Sequence, residues 1–166
     1  MSDRNDEEPI ISMVLLLRVP HYFTKEELQH AAERAWRIAF GNGDNGTPCV
    51  LQRGNRTVMR VGTHVLTFAF AAQPYLGDPG ETSKSFGQGA LRTAWAAHRG
   101  WAAVDYFRGG KDKALEYAVL AKIVAEMLDE NCTGIFLPAE NQFTLNDRML
   151  YGALQEVAAA RDAEIA

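Results

Sequence analysis

The sequence predicts an α+β fold: a mixed β-sheet with helices mainly on one face, in a ferredoxin-like β-α-β-β-α-β order extended by a C-terminal α-β-α. Three observations carry that expectation. Between Leu91 and Pro138 a helical stretch, an apolar run (Trp101 to Phe107), an amphipathic run (Leu115 to Leu128) and a second apolar run (Thr133 to Pro138) alternate, as helices layered on a buried sheet do. Thr24 and Glu27 stand at T-x-x-E spacing ahead of Leu28, Ala31, Ala32, Ala35, Trp36 and Ala39, an apolar face at three- and four-residue steps. Cys49 to Arg53 and Thr57 to Val61 flank Gly54-Asn55-Arg56, a short Gly-containing turn between two strands.

Taken in order, residues 1–9 lack apolar anchors and are expected to form a disordered tail ahead of one α+β domain over residues 10–166. Ile10 to Val19 is rich in Ile, Val and Leu, as a strand buried on both faces is, and Pro20 stops it. The capped helix ends at Gly41, and Gly41 to Thr47 (GNGDNGT) reads as a loop. After the hairpin, Gly62 interrupts the pattern and His64 to Ala72 continues as a strand. Gln73 to Ser85, with Pro74, Gly77, Pro79 and Gly80, reads as a loop of the length at which loops tend to be functional.

A helix is expected from Ala90 to Arg99, then a strand, and then a helix opening at Asp112, an N-cap residue. The strand Thr133 to Pro138, a connector and a last helix starting near Thr144 to Asn146 complete the chain. The resulting order is β-α-β-β-β-α-β-α-β-α. It contains the ferredoxin-like order if two of the three middle segments form one bent strand.

Composition narrows the function classes. Hydrophobic residues at 47% and charged residues at 23% are ordinary for a globular domain with a core. Seventeen basic against 21 acidic residues leave a net charge of −4, mildly repulsive to phosphate backbones, and no basic stripe is visible along the chain. Cys49 and Cys132 lack partners at zinc-ligand spacing and read as buried free thiols of a reducing compartment. The polar, acidic start MSDRNDEEP and the short apolar run Met13 to Leu17 point away from a secretory leader or membrane span. A cytoplasmic protein is expected, with no membrane or nucleic-acid partner.

The catalytic candidates are His98, Asp105 and Glu140. His98 closes its helix, where an imidazole serves as base or ligand, or simply meets the negative end of the dipole. Asp105 interrupts the apolar WAAVDYF, on the face shared with Trp101 and Ala103. Glu140, with Asn141, follows a strand end, where α/β sheets place ligands. His64 reads as a hydrogen-bonded strand residue, and His21 and His30 as loop and helix surface. Phe107 to Asp112 (FRGGKD) is a strand-to-helix turn that could hold an anion, but it matches no Walker A loop. Ser83 and Ser85 lie in no nucleophile-elbow context, and the glycines at 87, 89 and 100 match no dinucleotide fingerprint. No metal site and no cofactor are expected.

From Val65 to Pro138 the chain resembles a bacterial family catalogued only as a domain of unknown function. The segments LTFAFAAQPYLGD, AAHRGWAAVDYF and YAVLAKIVAEMLDENCTGIFLP carry the resemblance, and His98-Arg99 matches that family's Ala-His-(Arg or Lys) step before an apolar strand. This chain has AQPY where the family has a more proline-rich loop. The resemblance implies an α+β fold and a bacterial cytoplasmic setting, and it transfers no catalytic residue. The expected function is a non-enzymatic protein-interaction or assembly module, its partner being protein, either a second copy forming a homodimer or another chain. The alternative is a small-molecule-binding protein or weak hydrolase with a pocket between His98 and the Gln73–Ser85 loop, which needs His98 within reach of a carboxylate.

Overall fold

The computed structural model describes residues 9–109 and 112–165. Most of the expected N-terminal tail, and Gly110 and Lys111 of the FRGGKD turn, lie outside them. The strands are β1 (Ser12–Leu17), β2 (Cys49–Arg53), β3 (Arg56–Val61), β4 (His64–Ala71), β5 (Gly100–Arg108), β6 (Cys132–Leu137) and β7 (Gln142–Leu145). They form one seven-stranded sheet in the order β2-β3-β4-β5-β1-β6-β7. The helices are α1 (Lys25–Trp36), α2 (Pro79–Thr82), α3 (Ala90–Ala97), α4 (Lys113–Met127), α5 (Leu150–Ala159) and α6 (Asp162–Ile165).

The architecture is α+β. Where a mixed sheet was expected, the ladders among the described residues are antiparallel, apart from an isolated parallel bridge between Gly41 and Cys49. The connections explain this: β2, β3 and β4, like β6 and β7, are successive hairpin partners, and each helical crossover returns the chain beside a strand running the other way. The three middle segments remain three strands, because Gly62, at φ +57°, lets Gly62-Thr63 turn the chain fully back. A strand-helix-strand-strand-helix-strand path instead runs through β1, α1, β4, β5, α4 and β6, adjacent as β4-β5-β1-β6.

Period-two burial sorts the side chains. Met13, Leu15, Leu17, Leu66, Phe68, Ala102, Val104 and Tyr106 face α1, α4 and α5 in the larger core. Thr24 caps α1 as expected, its Oγ1 accepting from the Glu27 N–H at 3.1 Å. Helix α4 departs from the amphipathic expectation. It is buried on nearly every side, because it lies between the sheet and both α1 and α5.

The segment expected as a long loop carries structure of its own. Asp78 caps α2 with Pro79 in its first turn, and a 3₁₀ turn, Ser83–Phe86, follows. Together with α3 these turns cover the second face of the sheet, over β1, β6 and β7. Trp95 is the centre of that layer, its ring centroid 4.7 Å from Phe86 and 5.3 Å from both Phe136 and Phe143.

A second departure lies near the C-terminus, where Gln142–Leu145 is a strand and the last helix begins only at Leu150. Phe143 fills the second core, and the Asn146 amide donates to the carbonyls of Asp129 and Cys132 at 3.0 and 2.9 Å. Those bonds hold the chain extended past Thr144 and postpone the helix.

Candidate functional site

The structure separates the three expected site residues. His98 is fully buried beneath Tyr75 and Trp95. Its Nδ1–H donates to the Trp95 carbonyl at 2.5 Å, and its Nε2 accepts from the Tyr75 N–H at 2.9 Å. Burial pulls its pKa below the ordinary imidazole value. Both ring nitrogens are therefore committed to backbone groups, and no carboxylate shares them. His98 ties the segment before α2 to the end of α3. A shallow hollow of about 510 Å³ does lie beside this segment, lined by Gly80, Ser83, Arg92 and Ala96, and His98 is not part of its lining.

Asp105 lies past the middle of β5, roughly 23 Å of extended chain from His98 at ~3.3 Å per residue. It is half-buried, directly opposite Ser12, whose hydroxyl donates to it at 2.5 Å. The Tyr75 phenol lies close enough that partial burial and the Asp105 charge together raise its pKa. Tyr75 itself packs edge-on against Trp101, 5.5 Å between centroids.

Glu140 sits on the helical side, paired with Lys113 and accepting from the Tyr117 hydroxyl at 3.2 Å. The lysine ammonium holds its pKa below the usual carboxylate range, while burial and that carboxylate push Tyr117 up to about 12. Asn141, φ +47°, only turns the chain from β6 into β7.

The remaining histidines behave as strand, loop and helix residues. His64 is buried, hydrogen-bonded to the Tyr106 hydroxyl and 3.3 Å from the Glu164 carbonyl. His21 pairs with Glu27 at 2.7 Å, and His30 is exposed on α1. Cys49 and Cys132 are buried free thiols, and burial raises the Cys132 pKa to about 12, which makes it a poor nucleophile. Among the described residues no cluster of His, Cys, Asp and Glu has the arrangement of a metal site, and no helix is long and apolar enough to cross a membrane.

What the described residues leave open is half of one sheet face. The covering layer of α3 packs on β6 and β7 and stops short of β2 and β3. There, Val50, Met59, Leu66 and Phe68 are buried toward the helices, while the alternate residues face outward. The cross-strand register aligns these as a row, Leu51, Val58, Thr67, Asp105 and Ser12. Leu51 is 49% exposed, and Val58, Thr67 and Val65 are half-exposed.

The neighbouring rows are basic. Arg53 stands opposite Arg56 at the hairpin end, and Arg60, Val65 and Arg108 align across β3, β4 and β5. Arg60 donates to the Gly43 carbonyl at 2.8 Å, where the Gly41–Thr47 loop folds over Cys49. Strand β2 forms the sheet edge, where Gly41 bridges Cys49 and donates its N–H to the Pro48 carbonyl at 2.8 Å. Sequence reading missed this basic face, because its arginines lie on three strands. The one signal was the period-two spacing of Arg56, Val58 and Arg60 in a single strand.

Comparison of the chain with models of known protein families, with curated proteins and with solved structures finds no match.

Proposed function

We propose that this chain is a non-enzymatic protein-interaction module whose binding surface is the uncovered half-sheet of β2, β3 and β4. One observation carries the reading: a solvent-facing row of apolar and small polar side chains runs to a strand edge that no other strand of the described residues pairs. An open, partly apolar edge is an invitation to pairing, and proteins that keep one use it or blunt it. Leu51 on that edge is 49% exposed, which argues against blunting. The commitments of His98 and Glu140 to structural partners support the non-enzymatic side of the reading. We read the β4-β5-β1-β6 arrangement as a ferredoxin-like core carrying an added β2–β3 hairpin, and we retain the bacterial cytoplasmic setting that the family resemblance implies.

The test is site-specific photocrosslinking in cells. A benzophenone amino acid replaces Leu51, and in a control it replaces Glu130, exposed beside the start of β6, five strands from β2 in the sheet order. A polypeptide adduct, self or foreign, formed at Leu51 and absent at Glu130 is the expected result. Equal labelling at the two positions, or adducts to nucleic acid alone, would overturn the proposal.

A further inference from the structure

The charge of the open half-sheet specifies its partner. Arg53 and Arg56 are directly opposed across the hairpin, and like charges so placed repel. Among the described residues neither has an ion-pair or hydrogen-bonding partner, and nor has Arg108. The ion pairs of the described residues lie on the helices and their loops instead. They join Arg34 to Glu126, Lys122 to Asp162 and Arg161 to Asp112, for example. A chain of net charge −4 thus leaves uncompensated cations together on the half-face that no helix of the described residues covers.

Two acids border this face. Asp105, bonded to Ser12, closes the row at β5, and Asp44 belongs to the loop whose Gly43 carbonyl takes up Arg60. The positive part is therefore the β2–β3 hairpin, with a negative limit at β5.

We infer that an extended acidic segment of a partner protein adds to the β2 edge as a further antiparallel or parallel strand, with a carboxylate placed beside Arg53 and drawn also by Arg56, which stands behind Arg53 in the same cross-strand row. This deepens the protein-interaction reading above and rests on it. Strand addition supplies backbone hydrogen bonds without sequence preference, and the arginines supply the selection for acidic side chains. Single-stranded nucleic acid is disfavoured on chemistry. The outward row here is Leu51, Val58 and Thr67, none of them aromatic, and the exposed ring of Phe107 lies at β5, three strands from the β2 edge.

The probe is a fluorescent peptide of alternating valine and glutamate, about six residues long to match an average strand, measured by anisotropy on the full chain. Three comparisons accompany it: the lysine counterpart, a peptide N-methylated at alternate amides, and an oligothymidylate. Binding of the acidic peptide is expected to weaken with salt and to fall about tenfold in the double variant R53E/R56E, as loss of complementary charge does. The neutral variant R53Q/R56Q should lie between, and circular dichroism checks that both variants fold. N-methylation should abolish binding. Equal affinity for the lysine peptide, indifference to charge reversal, undiminished binding of the N-methylated peptide, or binding of the oligonucleotide in place of the peptide would each overturn the inference. A polypeptide crosslink at Leu51 alongside failure of the peptide would overturn this inference alone. Failure of the crosslink would overturn the broader reading.

Discussion

At the scale of single residues, His98 shows how an attractive candidate becomes a structural one. An imidazole at a helix end is equally suited to catalysis and to capping, and the difference lies in what its second nitrogen meets. Here it meets the Tyr75 N–H, a backbone donor brought from the far side of α2. Replacing His98 with Ala strands that donor in a buried site, while the Trp95 carbonyl keeps the backbone N–H of residue 98, and should cost about 2 kcal/mol in chemical denaturation. The same ring predicts a pH dependence. Its folded-state pKa lies below the unfolded value, so the unfolded chain binds the extra proton first as pH falls. Stability should therefore be full above the ordinary imidazole pKa and decline as pH drops below it toward the folded pKa. The wild-type denaturation midpoint should fall more steeply than that of His98→Ala over that window. Parallel curves would show that the ring contributes nothing to the dependence.

At the scale of elements, those with local signals were legible. The α1 capping box is visible as Thr24 and Glu27, and both of its hydrogen bonds form. Thr24→Ala should lower stability by about 1 kcal/mol, read as a shift in the thermal midpoint. The strand β7 was not legible, since four residues hold too little periodicity to separate a strand from a helix start. Its place depends on Gly134 in β6, where an added Cβ would collide with the Thr144 carbonyl and the Phe143 ring. Gly134→Ala should cost about 2 kcal/mol and release β7 first, which amide exchange at Gln142–Leu145 would report. The short helical turns before α3 were hidden for a related reason. Asp78-Pro79 is a fair helix start, but Pro74, Gly77, Pro79 and Gly80 made the stretch read as loop, and packing of Phe86 and Trp95 on the sheet sustains it.

At the scale of the whole molecule, stability should grade across the sheet. Strand β1 is central, with β5 and β6 on its flanks and every residue from Met13 to Leu17 buried. Strand β2 has a neighbouring strand on one side and only the Gly41 bridge among the described residues on the other, and three of its five residues are exposed. Native-state hydrogen exchange should be slowest in β1, β5 and α4 and fastest in the β2–β3 hairpin. Protection of β2 equal to that of β1 in the isolated chain would mean that its edge is already covered, and would remove the basis for a binding surface there. The open half-sheet itself belongs to this scale. Its four arginines come from β2, β3 and β5, and they converge because antiparallel register sets residues from distant parts of the chain opposite one another. Reading along the chain, the same arginines are diluted by an acidic composition.

The sequence by itself determined the α+β class, the capped first helix, the β2–β3 hairpin and the buried central strand. Each of these rests on interactions within a few residues or on a periodicity that one segment carries alone. Strand order, the antiparallel sense of the sheet, the covering of one half-face and the exposure of the other were decided by tertiary structure. The same holds for the partners of His98, Asp105 and Glu140. Those features depend on which faces are buried against which. That choice is made by long-range apolar packing, which no local pattern encodes.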